Sequence, residues 1–111
     1  MNQQERNDYL KKEWVGDGWR PLIEELDQQL STLDSEYTIE QIKEKFGGLR
    51  YYISSNSDNA KKLYKLEREY EEKSFTICEE CGSSDRVTTD REKKYWVKTL
   101  CAKCALLEEN K

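Results

Sequence analysis

The sequence predicts an α+β fold: a small antiparallel sheet built on one β-hairpin, helices packed against it, and a C-terminal module gathered around cysteines. Three observations predict it. Gly47-Gly48 stands between two stretches rich in β-branched and aromatic residues, Leu22, Ile23, Leu26, Leu30 and Leu33 recur at helical spacing, and all four cysteines fall into two C-x-x-C pairs. A chain of 111 residues has room for one core. We expect residues 1–74 as a helix and hairpin domain and residues 75–111 as the cysteine module packed on it.

Composition fits a folded chain with a modest core. Only 35% of residues are hydrophobic and 38% are charged, but three Trp, seven Tyr and two Phe supply apolar area that a disordered chain lacks. No apolar run approaches the roughly 20 residues a membrane span needs, and the start MNQQERNDY carries no hydrophobic signal segment, so the expected location is the cytoplasm. The net charge of −4 opposes binding to bulk nucleic acid or anionic membrane, so an anion site would have to be a local inversion of the field.

Residues 2–14, with Tyr9, Leu10 and Trp14 as the apolar positions, are compatible with a short helix. Gly16-Asp17-Gly18 breaks the chain; Asp17 or a neighbour can cap the next helix, and Pro21 suits its first turn. That helix runs from Trp19 to Leu33. Tyr37-Thr38-Ile39 begins a strand, and the Ile39 to Ile42 spacing breaks alternation as a bulge would. After the hairpin, residues 54–59 read as a loop in which Ser57 or Asp58 caps a helix carrying Ala60, Leu63, Leu66 and Tyr70 as its buried stripe and ending near Lys73. The lysines and glutamates on its other faces read as a solvated surface.

Two adjacent glycines can both take the positive φ of a tight turn. With Gly47 and Gly48 as the two loop residues, Phe46 faces Leu49, Lys45 faces Arg50, Glu44 faces Tyr51, Lys43 faces Tyr52 and Ile42 faces Ile53. Ile42, Phe46, Leu49, Tyr51 and Ile53 then share an inner side with Glu44. Gln41, Lys43, Lys45, Arg50, Tyr52 and Ser54 share the outer one. Residues 41–54 carry a net +2 within a chain of −4.

The cysteine module reads as a strand at Phe75-Thr76-Ile77, a knuckle at Cys78-Glu79-Glu80-Cys81-Gly82, a hairpin whose second strand is Tyr95 to Leu100, and a helix from Ala102 to about Asn110. The second cysteine pair, Cys101 and Cys104, opens that helix. The order is treble-clef-like, and two such pairs suit one tetrahedral zinc ion held by Cys78, Cys81, Cys101 and Cys104. A reducing cytoplasm argues against two disulfides, and Glu79 and Glu80 argue against a redox-active pair by opposing thiolate formation. Four sulfur ligands leave no position for water, so the expected role of the zinc is structural, one ion per chain.

The chain has no histidine, which removes the commonest general base and every His-containing nucleophile pair; an enzyme is not expected. The outer face of the hairpin is the most function-like feature. Cations on a two-stranded ribbon commonly serve solubility and edge protection alone. Against that, Lys45 opposite Arg50 is a like-charge pair that a bound anion, or a carboxylate from Asp17 or the following helix, would relieve. The candidate ligand-binding residues are Lys43, Lys45, Arg50, Tyr52 and Trp19, with Trp19 equally suited to the core.

Gly16-Asp17-Gly18-Trp19 with Leu22-Ile23, the stretch Gln41 to Tyr52, Cys78-Glu79-Glu80-Cys81-Gly82 and Thr99-Leu100-Cys101-Ala102-Lys103-Cys104 together resemble a family of small, mostly uncharacterised phage and prophage proteins, over residues 14–104. The resemblance implies a phage-related setting in a bacterial cytoplasm and carries no activity. The chain departs from the family pattern after Cys81, where Gly82-Ser83-Ser84-Asp85 replaces a Gly-x-Pro-Gly turn. Three expectations follow for such a non-enzymatic protein. It sequesters a small anionic ligand, such as a nucleotide signal of host immunity; or it binds a host protein directly; or, least in keeping with its acidity, its zinc finger binds nucleic acid. Self-association is left open.

Overall fold

The computed structural model describes residues 1–11, 15–89 and 97–109. The expected roles of Trp14 in the first helix, Tyr95 and Trp96 in a strand, and Asn110 at the last helix end lie outside the described residues. The architecture is α+β, as the sequence predicts: helix α1 (Gln3–Leu10), a 3-10 turn (Asp17–Trp19), α2 (Arg20–Leu33), strands β1 (Thr38–Lys45) and β2 (Gly48–Ser54), α3 (Ala60–Ser74), the short strands β3 (Thr88–Thr89) and β4 (Thr99–Leu100), and α4 (Ala102–Glu109). No helix among the described residues is long and apolar enough to cross a membrane.

Helix α1 starts with a reciprocal capping box. Asn2 Oδ1 accepts from the Glu5 N–H and Glu5 Oε1 accepts from the Asn2 N–H, an Asn-x-x-Glu signal that the sequence carries in plain view. Asp17 does not cap α2; it accepts from Arg20 Nε at 3.2 Å instead, and Pro21 takes the first turn as expected. Ser57 does not cap α3 in the usual way either. The helix begins after Asn59, whose N–H donates to Ser57 Oγ.

The hairpin pairs β1 with β2, with the expected irregularity between Ile39 and Gln41. Its turn lies one residue earlier than the glycine pair implies. Phe46 and Gly47 are the loop residues, with φ of 55° and 83°, so Lys45 faces Gly48, Glu44 faces Leu49, Lys43 faces Arg50 and Ile42 faces Tyr51. Moving the turn by one residue shifts every partner by two, which leaves the two faces intact. Of the residues expected on the inner side, Phe46 and Glu44 are exposed, Phe46 to 65%. Gly48 pairs with Lys45 as the first residue of β2, and its missing side chain leaves room for the Phe75 ring, which a Cβ there would approach to 2.6 Å.

Trp19, Leu22, Ile23, Leu26 and Leu30 from the α2 region, Ile39, Ile42, Leu49, Tyr51 and Ile53 from the hairpin, and Leu63 and Tyr70 from α3 form one buried cluster. Helix α3 packs against both β2 and α2, and α1 against α2 and β1. Ser74 Oγ closes the end of β2 by accepting the Leu49 N–H at 2.9 Å.

A buried polar group crosses this core. Arg6, 1% exposed, donates from Nε to Asp27 Oδ1 at 3.1 Å, from Nη1 to the carbonyls of Met1, Ser35 and Tyr37, and from Nη2 to Gln3 Oε1. Asp27 also accepts from the Tyr37 hydroxyl, which lies 2.8 Å from the Tyr51 hydroxyl. Burial pushes both phenols above their ordinary range, so both stay protonated. Tyr37 spends its proton on Asp27, and Tyr51 therefore donates to Tyr37.

Candidate metal centre and the hairpin face

Phe75 to Ile77 is a turn closing α3 and not the expected strand, because α3 continues to Ser74 and its last carbonyls take the N–H groups of Phe75, Thr76 and Ile77. The chain then makes the first knuckle. Gly82, at φ 81°, donates its N–H to Cys78 O at 2.9 Å, and Cys78 N–H reaches Ser83 O at 2.8 Å. The Gly82 N–H thus closes the turn. Strands β3 and β4 pair antiparallel, Thr88 with Leu100 and Thr89 with Thr99, and carry the chain to Cys101 and into α4.

The four expected ligands come together. The sulfurs of Cys78, Cys81, Cys101 and Cys104 all lie within 4.8 Å of one another. Cys81 Sγ and Cys101 Sγ are 3.7 Å apart. Tetrahedral coordination with metal–sulfur bonds of about 2.3 Å sets sulfurs roughly 3.8 Å apart, whereas a disulfide requires about 2.05 Å. The donor set fits a tetrahedral, thiophilic divalent ion and has the spacing of ligands, not of bonded pairs. The Cys104 N–H, 3.5 Å from Cys101 Sγ, holds the Cys101 thiol down to about 7, while burial and the neighbouring sulfurs push Cys104 up. Four thiols compete for few protons here, and a cation would resolve that competition.

The centre is also where the two halves of the chain meet. Gly18 N–H donates to Glu79 O at 2.9 Å, and a Cβ on Gly18 would sit 2.0 Å from Cys78 O. Only glycine permits this approach of one backbone to another. Trp19 Nε1 donates to Ile77 O at 2.9 Å. On the other side Thr89 Oγ1 and Thr99 Oγ1 lie 2.7 Å apart, and Thr99 Oγ1 donates to Gly47 O at the hairpin tip. Glu79 is 7% exposed and accepts the Thr99 N–H on Oε2; burial holds its carboxyl up to about 7.

The structure separates Trp19 and Arg50 from the other hairpin candidates. Trp19 is 0% exposed and belongs to the core cluster, so it offers no ring face to a ligand. The like-charge pair across the strands is Lys43 with Arg50, not Lys45 with Arg50. Arg50 Nη1 pairs with Glu71 Oε1 at 2.8 Å, the carboxylate from the following helix that the sequence anticipates. Lys43 Nζ lies 5.9 Å from the Tyr52 ring centre and Lys45 Nζ 5.7 Å from that of Phe46. A separate cleft of about 290 Å³ lies between the start of α2 and the knuckle, lined by Asp17, Pro21, Glu25, Ile77 and Cys81 among others.

Comparison with protein-family models, with curated proteins and with solved structures finds no match for the chain.

Proposed function

We propose that this chain is a non-enzymatic binding protein, a scaffold held by one structural zinc ion that presents the tip and outer face of its hairpin to another protein. The observation that carries the reading is Phe46: a bulky aromatic held at φ 55° and 65% exposed. A residue of that kind in the left-handed region costs roughly 1–2 kcal/mol, and asparagine would fill the same turn position without that cost. Strain kept at an exposed ring points to a use for the ring outside the molecule. Lys45 beside it, and Lys43, Arg50 and Tyr52 on the adjoining face, are residue types that suit a partner with an apolar socket and an acidic rim.

Zinc is the ion that four thiolates at tetrahedral spacing favour, and full coordination by protein sulfur gives it no site for hydrolysis. The resemblance to small phage and prophage proteins supports a bacterial host protein as the partner. Capture of a small anion by Lys43, Lys45 and Tyr52 is the weaker reading, since Trp19 is buried and Arg50 is engaged by Glu71.

Affinity capture from host lysate, followed by reconstitution with the purified partner, tests the proposal. Binding should be lost in Phe46→Asn and weakened in Lys45→Glu, with both variants folded. Unchanged binding in Phe46→Asn sinks it. Nucleotide binding by calorimetry that disappears in Lys43→Ala would favour the anion reading instead.

A further inference from the structure

We propose that Cys81 is an oxidation site, the point at which a peroxide enters the metal centre and opens it. The inference rests on the reading of the four cysteines as a metal site. Cys78 and Cys101 are buried, at 0% and 3% exposure, and Cys104 is half-buried, but Cys81 is exposed. It also lines the cleft of about 290 Å³ between α2 and the knuckle, a space large enough for a small oxidant and bordered by Asp17 and Glu25. Cys101 Sγ stands 3.7 Å from Cys81 Sγ, within reach of a second step.

The chemistry closes on these two sulfurs. Cys81 attacks one peroxide oxygen; an S–O bond forms, the O–O bond breaks, and hydroxide leaves. Cys101 then attacks the sulfenic sulfur; the S–S bond forms, the S–O bond breaks, and a second hydroxide leaves. The sulfurs lose two electrons, peroxide gains them, and two solvent protons complete two waters. With Cys81 and Cys101 bonded to each other, only Cys78 and Cys104 would be left to hold the ion, and it would be released without change of charge. The knuckle that seats Gly18 and the Thr99 contact to Gly47 then lose their anchor, so oxidation would reach the hairpin tip. The device makes binding at that tip sensitive to the redox state of the cell.

Metal-loaded protein treated with one equivalent of hydrogen peroxide tests this, with released metal read by a chromophoric chelator and thiols mapped by mass spectrometry. The expected result is a Cys81–Cys101 disulfide formed in step with metal release and reversed by thiol reductant plus metal. Pro21→Trp, which fills the cleft mouth from an exposed position, should slow release several-fold at unchanged metal content. A first disulfide that excludes Cys81, or an unchanged rate in Pro21→Trp, overturns the proposal. Protein that carries no metal before peroxide is added overturns the metal assignment itself, a separate failure.

Discussion

Among the described residues the helix and hairpin region buries thirteen apolar side chains in one cluster, whereas the cysteine module buries Cys78, Leu100 and Cys101 alone. The first is held by area removed from water and by the Arg6 and Asp27 network. The second is too small for that; what it has instead is four cysteines spaced to hold a metal ion, and contacts with its neighbour. The contrast teaches where the glycine and cysteine motifs belong. Gly18 meets the knuckle at Cys78 and Glu79, and Gly47 meets Thr99 of β4, so both glycines lie on the seam between the larger core and the cysteine module.

The largest break in that contrast should come from the metal ligands. Cys101→Ser should abolish stoichiometric metal binding and disorder the module while the circular dichroism of α1 to α3 persists. Gly18→Ala attacks the seam directly, since its Cβ would lie 2.0 Å from a backbone oxygen. Because backbone on both sides resists movement, the cost should reach about 3 kcal/mol or more by denaturant titration, and metal affinity should fall with it. Arg6→Met leaves Asp27 buried without its cation. It should cost about 3–5 kcal/mol in the first region and leave metal affinity unchanged, the reverse of the Gly18 pattern.

Phe46→Asn should do the opposite, stabilising the chain by about 1 kcal/mol through relief at the turn while weakening partner binding. A pH-dependent effect concerns Glu67. Burial, then the charge of Glu71, raises its carboxyl from 4.5 to about 7. The folded state therefore binds this proton more readily than the unfolded one, and stability gains from Glu67 as pH falls from about 7 toward 4.5. Glu67→Gln should accordingly be more stable than the parent at pH 8, with the advantage shrinking as pH falls through that window.

Much of the fold is legible because periodicity survives small errors. The turn is displaced by one residue, yet Ile42, Leu49, Tyr51 and Ile53 still face inward, since a two-residue change in partner keeps parity. The cysteine site is legible because spacing alone constrains its geometry. Arg6 is not legible: it sits in a polar helix among other charges, and its burial depends on Asp27 from α2 and on Ser35 and Tyr37 from the connection that follows it. The roles of the glycines are misread for a related reason. A glycine pair signals a turn locally, whereas the need for Gly18 and Gly48 comes from the knuckle and Phe75, distant in sequence. Phe46 looks like a core residue until the turn is placed, because composition cannot say which side of a turn an aromatic takes.

Hydrogen exchange on the reduced chain, with and without a strong chelator, bears most directly on the division between core and module. The account predicts that removing the metal strips protection from the Gly18 amide, which bonds across the seam to Glu79 O, and from the Glu79 amide, which bonds within the module to Thr99 O, while the Leu63 amide on α3 keeps its own. Equal protection of all three after chelation, or their simultaneous loss in one cooperative step, would contradict it.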